Sequence, residues 1–384
     1  MKILITPATL EISDNHSYSK GAIANIAYNL LYSLSKYEID LYILSKGLDI
    51  TRNLPDNLKL FNLTNSRIKN SYYIHTKAFF RSIKLSKWLL KTQNISVISQ
   101  MFIPYGVGFN PLFKTIRDYP FIIGMCEIPH PRYDDEIPKI IRIMRIGRRI
   151  IYPLFLKTLD ACDTLIAVNK PAAELYAKLI PRRKIKIIPH GIDIDKFKFT
   201  PLQRDNYNIL TVGRLIKRKR IDVLIDAMPS ILGEYPDTKL HIVGEGKQRF
   251  ELEKIAKEHG ISKNIIFYGN VNEKKLISLY ENSFVFCSPQ EKGGWNQPIL
   301  EAMATGRPVV CTDAPHNSMV INNKTGLKIS LNTEEWAEKI MDLFADREKS
   351  QKMGFIGRKE VEEKYDRDKI GQKYYKVYQE VCKS

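Results

Sequence analysis

Short apolar runs alternate with longer amphipathic stretches along this chain of 384 residues. In the first half the runs fall at residues 3–5, 39–44, 95–99, 121–125, 164–168 and 186–189, and a helical spacing fills 21–37. Strand-length runs separated by helix-length segments predict a parallel sheet wound on both faces. Around Pro189-His190-Gly191-Ile192-Asp193 the pattern changes, and the polar segment 196–207 reads as a linker. A second series follows, with strands at 208–213, 239–243, 265–268, 284–287 and 308–312 and a helix at 220–232. The chain is too long for one ordinary core and comfortable for two. The expected fold class is α/β, with two Rossmann-like doubly wound parallel-sheet domains over 1–197 and 198–358.

Composition narrows the class. Hydrophobic residues at 44% and charged residues at 27% give the balance of a soluble globular protein. The opening apolar run ends at Pro7, too short for the core of a secretory signal. The longest uncharged stretch, 92–113, contains Pro104, Gly106, Gly108 and Pro111, so it reads as a strand and a glycine-rich loop, not a membrane span. Five scattered cysteines without a Cys-x-x-Cys pair read as mostly buried free thiols in a reducing, cytoplasmic compartment.

The net charge of +18 calls for a partner or a solvated face. Arg81, Lys84, Lys87 and Lys91 recur at helical spacing, with Phe79, Phe80, Ile83 and Trp88 beside them. Lys139, Arg142, Arg145, Arg148 and Arg149 repeat the pattern among Ile and Met. Each is either the wet side of a core-packed helix or a basic amphipathic helix resting on anionic lipid. Two such helices, near 79–91 and 139–151, favour a peripheral protein on the cytoplasmic face of a membrane. No RNA-binding aromatic motif or zinc-finger spacing occurs, which argues against nucleic acid.

The densest chemistry lies in Ser288–Asp313, SPQEKGGWNQPILEAMATGRPVVCTD. A glycine-rich loop feeds a helix with Pro298 and Glu301 in its expected first turn, where proline is tolerated and a carboxylate is favoured by the helix dipole. Gly306 ends the helix and 308–312 reads as a buried parallel strand. Unpaired amides at such a loop suit sugar hydroxyls and phosphates. The segment resembles the signature of the retaining, nucleotide-sugar-dependent glycosyltransferases of the GT-B fold, family 4. That signature is a Glu, seven residues, a second Glu, then Ala-Met-Ala-x-Gly-x-Pro-Val-Val. Glu301 and Ala302–Val310 match it, whereas Gly293 stands where the first Glu is expected. The nearest upstream acid, Glu291, is read as reaching in to replace it.

The resemblance covers essentially the whole chain and implies roles for matching positions. Val212-Gly213-Arg214-Leu215 with Lys219 matches an element whose Arg and Lys grip the diphosphate. Fixed cations there stabilise the charge that the leaving group gains in the transition state. Without the family, the run 217–220 is equally a basic surface, and Arg220 replaces the family's Gly. Glu301 would accept hydrogen bonds from the ribose hydroxyls. Gly294, Trp295, Asn296 and Gln297 would present amides to sugar and diphosphate, in a donor-binding segment continuing through Pro298, Ile299 and Leu300. Gly244 and Gly246 would lie near the nucleotide, and Gly21 would let backbone approach the donor; a plain turn or helix start explains each glycine as well. Glu127 or His130 would face the sugar or assist proton removal from the acceptor, the alternative being an ordinary loop. The element 189–193 would close the first domain, with the last helices, about 359–384, packing back on it, and the two domains would face each other across a cleft.

The implied activity moves a sugar from a UDP- or GDP-sugar to a glycan, lipid-linked or other hydroxyl acceptor with retention, in glycan, glycolipid or cell-surface polysaccharide synthesis. No cofactor beyond the donor and no metal is expected. Asp193-Ile194-Asp195 reads as turn chemistry, and Asp134-Asp135-Glu136 lacks ligand spacing. Two alternatives stay open. A GT-B nucleotide-sugar epimerase, or a phosphorylase, would not need acceptor-dependent release of nucleoside diphosphate. A catalytically degenerate nucleotide-sugar or glycan-binding protein would bind without turnover.

Overall fold

A computed structural model describes residues 1–8, 18–45, 55–62, 72–101, 118–126 and 156–383. The chain divides into two compact units. The first takes most of the chain up to Gly191 and the segment Arg367–Ser384, and the second takes Ile192–Asp366.

Seven strands form the first unit's sheet: β1 (Lys2–Ala8), β2 (Asp40–Ser45), β3 (Leu58–Asn62), β4 (Val97–Met101), β5 (Phe121–Cys126), β6 (Thr164–Ala167) and β7 (Ile185–Ile187). Their order is β3-β2-β1-β4-β5-β6-β7, with parallel pairings throughout. Side chains alternate across a strand, so Ile3, Ile5, Leu41 and Ile43 enter one apolar layer and Leu4, Tyr42 and Leu44 the other. Both layers are dry, which is why these strands read as unbroken apolar runs. The helices Tyr18–Leu34 and Arg367–Lys383 fill the first layer, and Tyr72–Thr92 and Lys170–Tyr176 the second. A β-carbon on Gly191 would stand 2.7 Å from the Cα of Arg367, so glycine there admits the last helix. The expected returning segment from about 359 consists of two helices. Arg347–Lys364 belongs to the second unit and Arg367–Lys383 to the first.

The second unit has six strands: β8 (Ile209–Val212), β9 (Leu240–Val243), β10 (Ile265–Gly269), β11 (Val285–Ser288), β12 (Val309–Thr312) and β13 (Gly326–Ile329). They are parallel in the order β10-β9-β8-β11-β12-β13. From β8 the chain winds to one side, and from β11 to the other. The loops at the carboxyl ends of these two neighbours therefore diverge, leaving the crevice where doubly wound sheets take ligands. Asn272, Asn332 and Asp346 cap three of the surrounding helices with their side chains.

Asp195 donates its backbone N–H to Asp193 Oδ1 at 3.2 Å, a local turn. Among the described residues, no cluster of His, Cys, Asp or Glu could hold a metal ion, and no helix is long and apolar enough to cross a membrane. Cys126, Cys162, Cys287 and Cys311 are buried free thiols, while Cys382 is exposed.

Candidate functional site

The loop after β8 and the turn after β9 are fused through their backbones. Gly213 N–H donates to the Val243 carbonyl at 2.9 Å, and Leu215 N–H to that of Glu245 at 3.0 Å. A β-carbon on Gly244 would lie 1.9 Å from the Gly213 carbonyl oxygen, and one on Gly246 would lie 2.2 Å from that of Leu215. Gly244 also has φ +132°, a backbone that side chains rarely adopt. Both glycines thus have a packing duty that suffices to explain them. On this platform Arg214 is exposed and Lys219 half-buried.

The loop after β11 joins it from the other side of the crevice. Lys219 Nζ donates to Oε1 of Gln290, a side chain only 2% exposed. Arg218 donates from Nη1 to the Lys292 carbonyl at 3.1 Å, and Glu291 N–H donates to the Arg218 carbonyl at 2.9 Å. The Gln290 carbonyl accepts from Thr312 Oγ1 at 2.5 Å and is also bonded by His316. Asn317 Nδ2 donates to the carbonyl and hydroxyl of Thr312, at 3.0 and 3.1 Å. Asn296 in turn donates to Asn317 Oδ1 at 3.0 Å and Ser288 Oγ at 2.9 Å. These side chains are buried, so each satisfied partner is worth more than it would be in water, and the loop is held in one shape. Burial, with Lys219 and Arg218 nearby, pushes the His316 imidazole down to about 4, so it is neutral near pH 7.

The positions marked out in the sequence are placed unequally. Arg214, Lys219, Gly244, Gly246 and Gly294–Gln297 gather at the ends of β8, β9 and β11. Glu291 is exposed and pairs with Lys292 at 2.8 Å; it is Gln290 that meets Lys219. A β-carbon on Gly293 would stand 1.7 Å from Gln290 Nε2, so the buried amide fills the space beside that position. Asn296 is committed to its buried network, and Gln297 Oε1 accepts from Trp295 Nε1 at 3.2 Å. Pro298 has no N–H to present, and the side chains of Ile299 and Leu300 lie in the apolar core. Gly21 sits in the first turn of the helix Tyr18–Leu34. Glu127, His130 and the basic segment 139–151 lie outside the described residues.

Glu301 departs most from the sequence reading. The helix begins at Gln297, so Glu301 falls beyond its first turn and cannot be explained by the dipole. Its side chain is fully buried, with Oε2 at 2.9 Å from the Tyr280 hydroxyl and Oε1 without a hydrogen-bond partner. Burial holds its carboxyl well above the usual carboxylate range. The unsatisfied oxygen fits an acceptor waiting for a hydroxyl, reachable only when the side chain or its cover shifts.

Arg220, at the family's glycine position, adopts the left-handed conformation, φ 47° and ψ 40°. Its guanidinium grips Asp222, donating from Nε at 3.0 and 3.2 Å. Gln290, Thr312, His316 and Asn317 were not marked out in the sequence. The only available signal was the concentration of uncharged polar residues flanking β11 and β12, which a search for acids and cations passes over.

The model of the family described as "Glycosyl transferases group 1" matches residues 193–360. An uncharacterized glycosyltransferase of Methanocaldococcus jannaschii is 31% identical over 274 residues, covering 66% of this chain and 70% of that protein. A GDP-mannose-dependent alpha-(1-6)-phosphatidylinositol monomannoside mannosyltransferase of Mycobacterium tuberculosis is 28% identical over 236 residues, 56% of this chain. The match spans 61% of that mannosyltransferase's length. Among solved structures, sucrose-phosphate synthase from Thermosynechococcus elongatus superposes with a TM-score of 0.77 at 18% identity, covering 99% of this chain and 98% of that one. Anabaena HepE in complex with UDP superposes with a TM-score of 0.72 at 16% identity, covering 99% and 100%. At such low identity these two likenesses bear on the fold alone, which is GT-B. With the archaeal relative matched over most of its length and the signature half matched by the family model, the chain belongs to the group 1 glycosyl transferases.

Proposed function

We propose that this glycosyltransferase moves a sugar from a nucleoside diphosphate sugar to a hydroxyl acceptor with retention of anomeric configuration, without a metal. The observation that carries the reading is that Arg214 and Lys219 stand together after β8 at the sheet's switch point, where Lys219 meets Gln290 of the loop after β11. A doubly wound sheet binds its ligand there, and two cations suit a diphosphate. In the proposed step the bond between the anomeric carbon and the diphosphate oxygen breaks, and its electron pair leaves with the phosphate. The acceptor oxygen attacks from the same face, and its proton passes to a diphosphate oxygen. Arg214 and Lys219 stabilise the charge that accumulates. In this reading the backbone of Gly294 and Trp295 would meet sugar and diphosphate, Gly21 would admit the donor, and Glu301 would take the ribose hydroxyls once uncovered. Glu127 or His130 would face the sugar.

The donor is proposed to be a UDP- or GDP-sugar. The mycobacterial relative's name specifies GDP-mannose, and one structural neighbour was solved with UDP. The acceptor is proposed to be lipid-linked, in glycan, glycolipid or cell-surface polysaccharide synthesis at a cytoplasmic membrane face. Arg81, Lys84, Lys87 and Lys91 are exposed on the helix Tyr72–Thr92, and Trp88 beside them is 50% exposed, which supports that reading. Calorimetry with UDP and GDP on the wild type and Arg214→Ala tests the donor site. Micromolar binding of one nucleotide, lost in the variant, is expected; no binding of either removes the proposal.

A further inference from the structure

We infer that Gln290 is the positioning residue of the diphosphate site, fixing where the Lys219 ammonium stands through a neutral oxygen instead of a carboxylate. This rests on the donor-site reading above and adds the residue that tunes it. Lys219 carries three N–H donors and no acceptor, so the amide must turn its oxygen toward it. That contact engages one N–H of the ammonium and adds no negative charge beside it. A carboxylate in the same place would form an ion pair and compete with the incoming phosphates.

Two features make the arrangement specific. The Gln290 carbonyl is held by Thr312 Oγ1 at 2.5 Å and by His316, so the side chain projects from a fixed backbone. Gly293 leaves open the space that the amide occupies, since a β-carbon there would come within 1.7 Å of Nε2. Gln290 and Gly293 are thus a matched pair. Glu291, turned outward onto Lys292, has no part in it.

The test is Gln290→Glu, nearly identical in shape. UDP and GDP binding is measured calorimetrically at low and high salt, with thermal melting as the check on folding. For the nucleotide that the wild type binds, affinity falls at least tenfold in the variant at low salt. Its salt dependence becomes shallower, because one site charge is neutralised. A merely structural role would leave that dependence unchanged. Gly293→Ala, which displaces the amide, weakens binding several-fold while the protein stays folded. If the wild type binds neither nucleotide, the donor-site reading fails; if it binds and Gln290→Glu matches it in affinity and salt dependence, this inference fails. Should Gln290→Glu not fold, Gln290→Met replaces it: it keeps length and burial but removes the oxygen, and unchanged affinity overturns the inference.

Discussion

The Tyr280 hydroxyl lies 2.9 Å from Glu301 Oε2 and 3.2 Å from the Pro298 carbonyl, inside the second unit's core. A hydroxyl has one proton to give. If it goes to Pro298, the proton between Tyr280 and Glu301 belongs to the carboxyl, in keeping with an acid that burial keeps neutral. A carboxyl raised above its unfolded value of 4.5 stabilises the fold below that pH and loses this contribution as pH rises. Glu301→Gln cannot ionise. Its melting temperature relative to wild type should therefore climb between pH 5 and pH 8, and a difference that does not change with pH would contradict a neutral Glu301.

Gly244→Ala should be among the most damaging single-methyl changes in the chain. The added carbon would meet the backbone oxygen of Gly213 at 1.9 Å, and backbone cannot swing aside. With the strained φ of +132°, a loss of roughly 2–4 kcal/mol is expected from denaturant midpoints. Gly233→Ala, which meets nothing within 4 Å and sits in the helix Ile221–Glu234, should be neutral or stabilising.

Arg307 is wholly buried, and among the described residues no carboxylate lies within ion-pair distance of it, though the charge of Glu281 offsets part of the burial. Its guanidinium donates to the carbonyls of Glu281, Ser283, Thr200 and Thr305, and burial lowers its pKa to about 10. Arg307→Met would leave those carbonyls unsatisfied, at roughly 3 kcal/mol. Urea denaturation checks this; a loss under 1 kcal/mol would mean that water replaces the guanidinium.

His316 should shape the acid limb of stability. Its imidazole falls from 6.5 in the unfolded chain to about 4 in the fold, so its contribution is intact above pH 6.5 and is lost as pH drops toward 4. Complete loss corresponds to roughly 3 kcal/mol. His316→Gln should flatten the stability profile across that window. An unchanged slope would assign the acid limb elsewhere, with His241, also lowered to about 4 by burial, the next residue to test.

The basic face of Tyr72–Thr92 makes a separate prediction. Replacing Arg81, Lys84, Lys87 and Lys91 together by Gln should abolish co-sedimentation with vesicles rich in anionic phospholipid, leaving folding and nucleotide binding intact. Trp88→Ala should weaken it several-fold. Undiminished sedimentation of the fourfold variant would remove this helix from the membrane reading.

Much of the fold was legible because strands buried on both faces leave an unmistakable mark. Val309-Val310-Cys311-Thr312 and Phe121-Ile122-Ile123 permit little else. The position of Arg214 and Lys219 could also be read, since a strand followed by Gly and spaced cations is local information. Gln290 was not legible, because its importance comes from Lys219, a contact 71 residues distant in sequence. The neighbouring acid, Glu291, is the conspicuous residue in the sequence, yet its side chain is exposed and pairs with Lys292. The apolar neighbours of Glu301 mark it as a buried carboxylate in the sequence, which does not reveal that Tyr280 comes from a neighbouring helix to meet it.

Arg220 and Asp222 are joined by a salt bridge two residues apart, across the start of a helix. Where the resembled signature would have a glycine, this chain carries a side chain in a left-handed turn, and the bidentate contact to Asp222 offsets part of the strain. A mutation of Asp222 alone leaves Arg220 strained without recompense; reversion of Arg220 to Gly alone relaxes the backbone and leaves Asp222 unpartnered by it. The two positions should therefore change together along lineages, with intermediates that carry one substitution being rarer than either matched pair.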